Sequence, residues 1–437
     1  MTRRTTTLTA TAGSLVLALA LAGCGAGSKT AANTATKVAC DVPQPDKDLT
    51  VNVLAYNSSA IDPFTNTMVT SCTKGKVTLK HEPIDFGGQV QKTTATLAGE
   101  TGTYDVVETY GFVIPQLAQE GKIQALDQLF SQFSDEYKLD QISEPMREAM
   151  SYEGKLYALP MQAQMYVMAY RKDVFDKLGL KAPTTFEELA TAAKAIQADG
   201  KIKHPVALPW LASGDIVTSF DATLGSLGMP LTNPDDKTAN FDKPETIEAL
   251  KAMLALKPFM DPEVTTFDQP AVQQQMYNGS AAIAIMFSGR MNDLTQTANT
   301  KFAPNFAFAA PPVVKDGDLL YNALSVDGWS LPTNAVADKS TLFEMISSSV
   351  SEEASKAALP AAYPAREGMV TEGSSPYAAA ANESIAKAPP AEPHAWTAKV
   401  SNAITPIIAS VVLGKLTPEA GAAQMQAAAD KVLSEYK

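Results

Sequence analysis

Side chains able to hold a small polar ligand collect just beyond apolar runs that read as strands. Tyr56 and Asn57 stand at the end of the run 49–56 (LTVNVLAY), Glu108 and Tyr110 at and beyond the end of 104–108 (YDVVE), and Arg290 three residues past Phe287, which closes another apolar run. Carboxylates accept hydrogen bonds from pairs of hydroxyls, Arg, Asn and Gln donate them, and flat aromatic rings cover the apolar faces of a ring-shaped molecule. The mixture suits non-covalent capture of a small polar molecule. Catalysis finds less support. With 47 acidic residues any pair of carboxylates is uninformative, and the chain has no Gly-x-Ser-x-Gly elbow, His-Glu-x-x-His helix or phosphate loop. His81, His204 and His394 are far apart and sit in no Cys/His cluster of zinc spacing, so neither a metal nor a cofactor is expected.

The elements that must position these residues alternate. The spacing predicts strands over 49–56, 76–81 and 104–108, with helices over 62–71 and 89–98 between them. Strand and helix in alternation imply an α/β layer with a mostly parallel sheet, and ligand-binding residues then lie past the carboxyl ends of its strands. Thr185 with Glu188 forms a capping box ahead of a helix whose apolar face is Phe186, Leu189, Ala193 and Ile196. Thr417 and Pro418 open the last helix. Pro205, Pro209, Pro230, Pro234 and Pro244 predict loops and short helices in the middle.

The first residues are an address. Arg3 and Arg4, the apolar run 15–21 and Leu21-Ala22-Gly23-Cys24 form a secretion signal over 1–23 that resembles a bacterial lipobox, with Cys24 lipidated and becoming the first residue of the mature chain. The Ala-, Thr-, Asn- and Gly-rich stretch 24–46 is expected to be a flexible tether lifting a domain off the membrane. Of the 35 basic residues the signal removes two, leaving 33 against 47 acidic ones and a net charge of −14. Such a balance argues against nucleic acid as a partner. Cys40 and Cys72 remain, and in an oxidising compartment they read as one disulfide tying the start of the domain to the end of its first helix.

The most specific stretch is 152–196, YEGKLYALPMQAQMYVMAYRKDVFDKLGLKAPTTFEELATAAKAI. It resembles the hallmark of the family 1 extracellular solute-binding proteins, the group that contains maltose- and polyol-binding proteins. Four further segments fit the same family in order: YDVV at 104–107, MYNGSAA at 276–282, the pair 308–312 and 325–332, and VLGKLTPE at 412–419. One departure stands at 287–291, where Phe-Ser-Gly-Arg-Met replaces the tryptophan motif frequent in the family, with Arg290 in place of the aromatic.

The resemblance implies an α/β fold of the two-lobed periplasmic binding protein class (type II), with a ligand cleft between discontinuous lobes. Lobe 1 is expected over 47–158 and 328–370, lobe 2 over 159–327 and 371–437. It adds Gln162 and Gln164 after the first crossover, Asp327 and Trp329 in the second, Tyr363 and Arg366 in a Pro-Ala-Ala-Tyr-Pro-Ala-Arg stretch, and Trp210 and Asp221 in the middle of lobe 2. Glu108 and Asp327 have an alternative as helix caps, Arg290 and Arg366 as interlobe ion pairs, and each Tyr or Trp as packing. The implied function is capture of a sugar, sugar alcohol or oligosaccharide by a lipid-anchored, monomeric, extracytoplasmic component of an ABC importer, delivering to membrane permease subunits. The rival readings are a binder of peptides or other non-sugar solutes, a surface glycosidase, and an adhesin or sensor.

Overall fold

A computed structural model describes residues 35–391 and 393–437. The secretion signal expected over 1–23 and the lipidation site Cys24 lie outside the described residues.

One nine-stranded sheet runs through the molecule. Strands β1 (Leu49–Leu54), β2 (Val77–His81) and β3 (Val106–Tyr110) form one end. The 13-residue β4 (Leu159–Arg171) crosses to the other, where it meets β5 (Val206–Ala207), β6 (Ile283–Phe287) and β7 (Phe306–Ala309). The chain returns through β8 (Leu324–Ser330), and β9 (Tyr363–Pro364) adds to β4. The path order is β2-β1-β3-β8-β4-β6-β5. Pairing is parallel at the two ends, β1 with β2 and β3, and β5 with β6. It is antiparallel wherever a crossing strand takes part, β8 with β3 and β4, and β4 with β6. The expected mostly parallel sheet is thus parallel only at its ends, because the middle is built by segments that pass between the halves in opposite senses.

Hydrophobic cores flank the crossing on both sides. On one side a cluster draws on side chains between 40 and 161 and between 326 and 365. On the other, two clusters draw on side chains between 163 and 321 and from 377 onward. Helix α1 (Asp62–Cys72) starts with Pro63 in its first turn, where a missing N–H costs nothing, and buries Phe64 and Met68. Helix α2 (Phe86–Ala98) begins one turn earlier than the sequence suggests, because Asp85 Oδ1 accepts from Gly88 N at 2.6 Å. The capping box at helix α3 (Phe186–Ala198) is closed from both ends: Thr185 Oγ1 accepts from Glu188 N at 3.1 Å and Glu188 Oε2 from Thr184 N at 2.8 Å.

The middle of the second half is more regular than the loops and short helices expected there. It holds the 12-residue helix α4 (Asp215–Ser226) and a 13-residue helix over Pro244–Leu256. Pro244 begins that helix rather than breaking it, since proline fits the first helical position. The tether expected over 24–46 is also not loose in its described part. Thr36 N donates to Thr67 Oγ1 and Val38 N to Ser71 Oγ, both on α1, and Cys40 and Val42 are each 3% exposed. Cys40 and Cys72 are joined, with Cα atoms 5.3 Å apart. Closing a loop of this length contributes about 3–4 kcal/mol in the chain-entropy account. Among the described residues no helix is long and apolar enough to cross a membrane.

Candidate functional site

The loop after β1, the end of β3, the start of β4 and the middle of β8 converge where the two halves meet. Asp327 Oδ2 accepts from Gln164 Nε2 at 2.6 Å and Gln162 Nε2 at 3.1 Å, and Ser325 Oγ approaches Asp327 Oδ1 at 3.3 Å. Gln164 Nε2 also donates to Tyr56 Oη at 3.1 Å. Glu108 Oε2 accepts from the backbone N–H of Tyr56 at 3.0 Å. Its other oxygen, Oε1, and the side-chain oxygen of Gln162 are buried without a hydrogen-bond partner. An unmet buried polar atom costs about 1–3 kcal/mol.

Around this polar floor stands an aromatic wall. Phe86 meets the Tyr56 ring edge-on at 5.6 Å and the Tyr110 ring at 5.4 Å; Phe112 stacks on Tyr110 at 5.7 Å. Tyr110 is fixed by its hydroxyl, which donates to Gln89 Oε1 at 3.1 Å. Phe86 and Phe112 are 48% and 45% exposed, large apolar rings facing solvent beside a polar pocket. Asn57 shapes the same rim, accepting from Ile84 N and donating to Asp62 Oδ1.

The opposite half contributes the turn after β6 and the start of α4. Ser59 Oγ donates to the carbonyl of Gly289 at 3.2 Å, so the halves touch directly. A Cβ on Gly289 would come within 2.9 Å of Ala60 Cβ and 2.8 Å of Gln164 Oε1, which is why a glycine stands there. Arg290 Nη1 donates to Gln273 Oε1 at 3.2 Å, on helix α5 (Gln269–Asn278). Gln269 Oε1 accepts from Phe287 N and its amide lies 3.5 Å from Asp215 Oδ1. Glu120 and Lys399, 3.8 Å apart, link the halves through a second, exposed contact.

Electrostatics mark the same place. Burial pushes the Asp327 carboxyl up to about 6, and Glu108 is held well above the carboxylate range by burial and then by Asp327. Asp62 is pushed up to about 7 by burial. Burial and the neighbouring Asp268 push Asp215 up to about 6. Asp221 rises to about 6 from desolvation alone while its side chain remains exposed.

Three expected residues take structural places. Trp329 is fully buried in the first core, its Nε1 donating to Ser349 Oγ at 2.9 Å. Arg366 is 3% exposed, and its guanidinium is spent on carbonyls of its own half, Val350 at 2.6 Å, Tyr137 at 2.6 Å and Lys138 at 2.9 Å. Trp210 is 1% exposed inside the second core. Tyr363 is half-buried on β9, donating to Asn382 Oδ1 at 2.8 Å. Position past a strand end does not distinguish a rim residue from one that turns inward, and these turned inward. Phe86, Phe112, Asp62, Asp215 and Gln89 border the same place and are not among the residues expected from the sequence. An exposed pair of phenylalanines flanking Tyr110 was the available signal. Among the described residues no three His, Cys, Asp or Glu side chains form a group able to hold a metal.

The model of the bacterial extracellular solute-binding protein family matches residues 70–387. Among curated relatives, the maltotriose-binding protein of Pyrococcus abyssi is 31% identical over 192 residues, which is 42% of this chain and 38% of that one. The mannitol-binding protein of Pseudomonas aeruginosa is 29% identical over 93 residues, 21% and 20% of the two chains. The match therefore spans less than half the length of either relative. Solved structures share the fold along nearly the whole molecule. A ribitol-bound solute-binding protein of Agrobacterium radiobacter superposes with a TM-score of 0.78 at 20% identity, covering 89% of this chain and 100% of that one. Maltose-bound MalE3 of T. maritima gives 0.76 at 15%, covering 87% and 99%. With a family match over most of its length and a two-lobed fold to go with it, the chain belongs to the bacterial extracellular solute-binding proteins.

Proposed function

We propose that the protein captures a sugar, sugar alcohol or short oligosaccharide between its two lobes and hands it to the permease of an ABC importer. The carrying observation is the pocket composition: two buried polar atoms without partners, Glu108 Oε1 and Gln162 Oε1, beside the aromatic group Tyr56, Phe86, Tyr110 and Phe112. Ligand hydroxyls, which both donate and accept, meet these atoms and a sugar ring covers the aromatic faces. The relatives bind maltotriose and mannitol by name, and the structural neighbours hold ribitol and maltose, in agreement with this reading.

Asp327, held by Gln162 and Gln164, is the hub of the site. It is contributed by a crossing strand, so lobe movement and ligand contact share the same residues, as hinge closure in periplasmic binding proteins requires. Arg290 and Asp221 approach from lobe 2. The lobes are 47–158 with 328–370 and 159–327 with 371–437. The mature chain begins at a lipidated Cys24, acts as a monomer outside the membrane, and performs no catalysis. A thermal-shift screen of the purified protein against monosaccharides, polyols, oligosaccharides, amino acids and peptides tests the reading. A ligand at a hundred times its dissociation constant raises stability by about 2.7 kcal/mol. A rise confined to carbohydrates supports it; a rise confined to peptides or amino acids overturns the ligand and keeps the fold.

A further inference from the structure

Glu108 and Asp327 stand on neighbouring antiparallel strands, Asp327 opposite Tyr110 and Trp329 opposite Glu108. Both are sealed from water, 0% and 1% exposed. They are not equally supplied with donors. Asp327 receives three from side chains: the Gln164 and Gln162 amides reach Oδ2 at 2.6 and 3.1 Å, and the Ser325 hydroxyl reaches Oδ1 at 3.3 Å. Glu108 receives the Tyr56 backbone N–H on Oε2 at 3.0 Å, and its Oε1 receives nothing. The other titratable groups around Glu108 are Asp62 and the phenols of Tyr56 and Tyr110, and the cation Arg290 bears on Tyr56.

Two ionised carboxyls so close together and so dry repel strongly, and the one with more donors keeps its charge. A buried ionised oxygen with no donor costs far more than a neutral one. The proton is therefore placed on Glu108, and on Oε1, because Oε2 is already accepting. Burial and the Asp327 charge hold this carboxyl well above the carboxylate range, in agreement with the donor count. Gln89 steadies the residue from its backbone side, its amide donating to the Glu108 carbonyl at 2.9 Å. Gln162 has the complementary character. Its amide nitrogen donates to Asp327, which leaves its oxygen as an acceptor without a partner. A sugar hydroxyl both accepts and donates, so a single carbohydrate has what each atom lacks.

We infer that Glu108 works as a neutral carboxylic acid, its Oε1–H donating to an oxygen of the bound carbohydrate while Gln162 Oε1 accepts from a hydroxyl. The inference rests on the carbohydrate reading above and deepens it. It gives Glu108 the role of a donor, where an ionised glutamate would only accept.

Infrared difference spectroscopy of the purified protein at pH 7, parent minus Glu108→Gln, tests the protonation. The expected spectrum has a carboxylic-acid carbonyl band in the parent that the variant lacks; a difference confined to carboxylate bands overturns the inference. If Glu108→Gln does not fold, isotope labelling of the glutamate carboxyl carbons in the parent replaces the subtraction, since Asp62 and Asp327 do not move with that label. Adding mannitol, ribitol, maltose or maltotriose, whichever binds, should shift the acid band to lower frequency as its O–H finds an acceptor. Disappearance of the band on binding overturns the donor role. Calorimetric titration supplies the second readout. Glu108→Leu, which has no donor, should lose roughly tenfold or more in affinity, and Glu108→Gln, whose amide N–H replaces the O–H, should lose severalfold less. Equal losses in two folded variants overturn the donor role and leave the carbohydrate reading standing. Binding of none of the four probes overturns the carbohydrate reading and the donor role together.

Discussion

Asp327→Asn should make the unliganded protein more stable at neutral pH while removing its ability to bind. Asp327 is 1% exposed, and burial moves its folded-state value from 3.8 to about 6. A carboxyl whose folded value is raised contributes stability that is complete below its unfolded value and is lost as pH climbs through the folded one. At 1.36 kcal/mol per unit, the loss is about 1 kcal/mol at pH 4.5 and about 3 kcal/mol at pH 8. Asparagine carries no such loss. It keeps one carbonyl oxygen for the amides of Gln162 and Gln164 and places its NH2 toward Ser325 Oγ, which can accept. Urea denaturation at the two pH values reads the difference directly. The variant's advantage over the parent should grow by about 2 kcal/mol from pH 4.5 to pH 8. A constant difference, or a variant less stable at pH 8, would refute the claim that the cleft holds this carboxylate at a cost the ligand is meant to relieve.

Three other perturbations follow from the same geometry. Gly289→Val places a side chain where 2.9 Å already separates its Cβ position from Ala60, so closure is obstructed; titration should show affinity down at least tenfold with an unchanged far-UV spectrum. Phe86→Ala and Phe112→Ala remove exposed rings and should lower carbohydrate affinity by roughly tenfold each while moving the melting temperature by less than about 2 °C; a large loss of stability with intact affinity would place these rings in folding instead. Arg366→Ala strands the carbonyls of Tyr137, Lys138 and Val350 in the first core, and chemical denaturation should show a loss of about 3–5 kcal/mol, with affinity unchanged in whatever remains folded.

Much of this architecture is legible along the chain because the local signals agree with the global fold. The strand at Ile283–Phe287 and the capping box at Thr185 and Glu188 are short-range facts, fixed by apolar runs and by one side chain reaching three residues on. The central antiparallel pairings are not local. Nothing in 159–171 announces that it will pair with 324–329, 283–287, 306–309 and 363–364 at once. The site divides along the same line. Glu108, Gln162, Gln164 and Asp327 follow from strand ends and from the family resemblance, whereas Trp329 and Arg366 share those credentials and turn into the core. Which side a residue takes at a strand end depends on a register shift such as the one between Asp327 and Gly328, and a single-residue shift is invisible in periodicity. Phe86 was hidden because Asp85 starts its helix a turn early.

The most direct test of the central claim is a structure of the protein with the carbohydrate that stabilises it most in the screen. The account predicts ligand hydroxyls within hydrogen-bonding distance of Glu108 Oε1 and Gln162 Oε1, with a ring face or carbon chain against Phe86 or Tyr110. A ligand seated elsewhere would contradict it, for example in the shallow depression lined by Ile247, Lys251 and Lys315 on the outer face of the second lobe, with Glu108 and Gln162 still unmet.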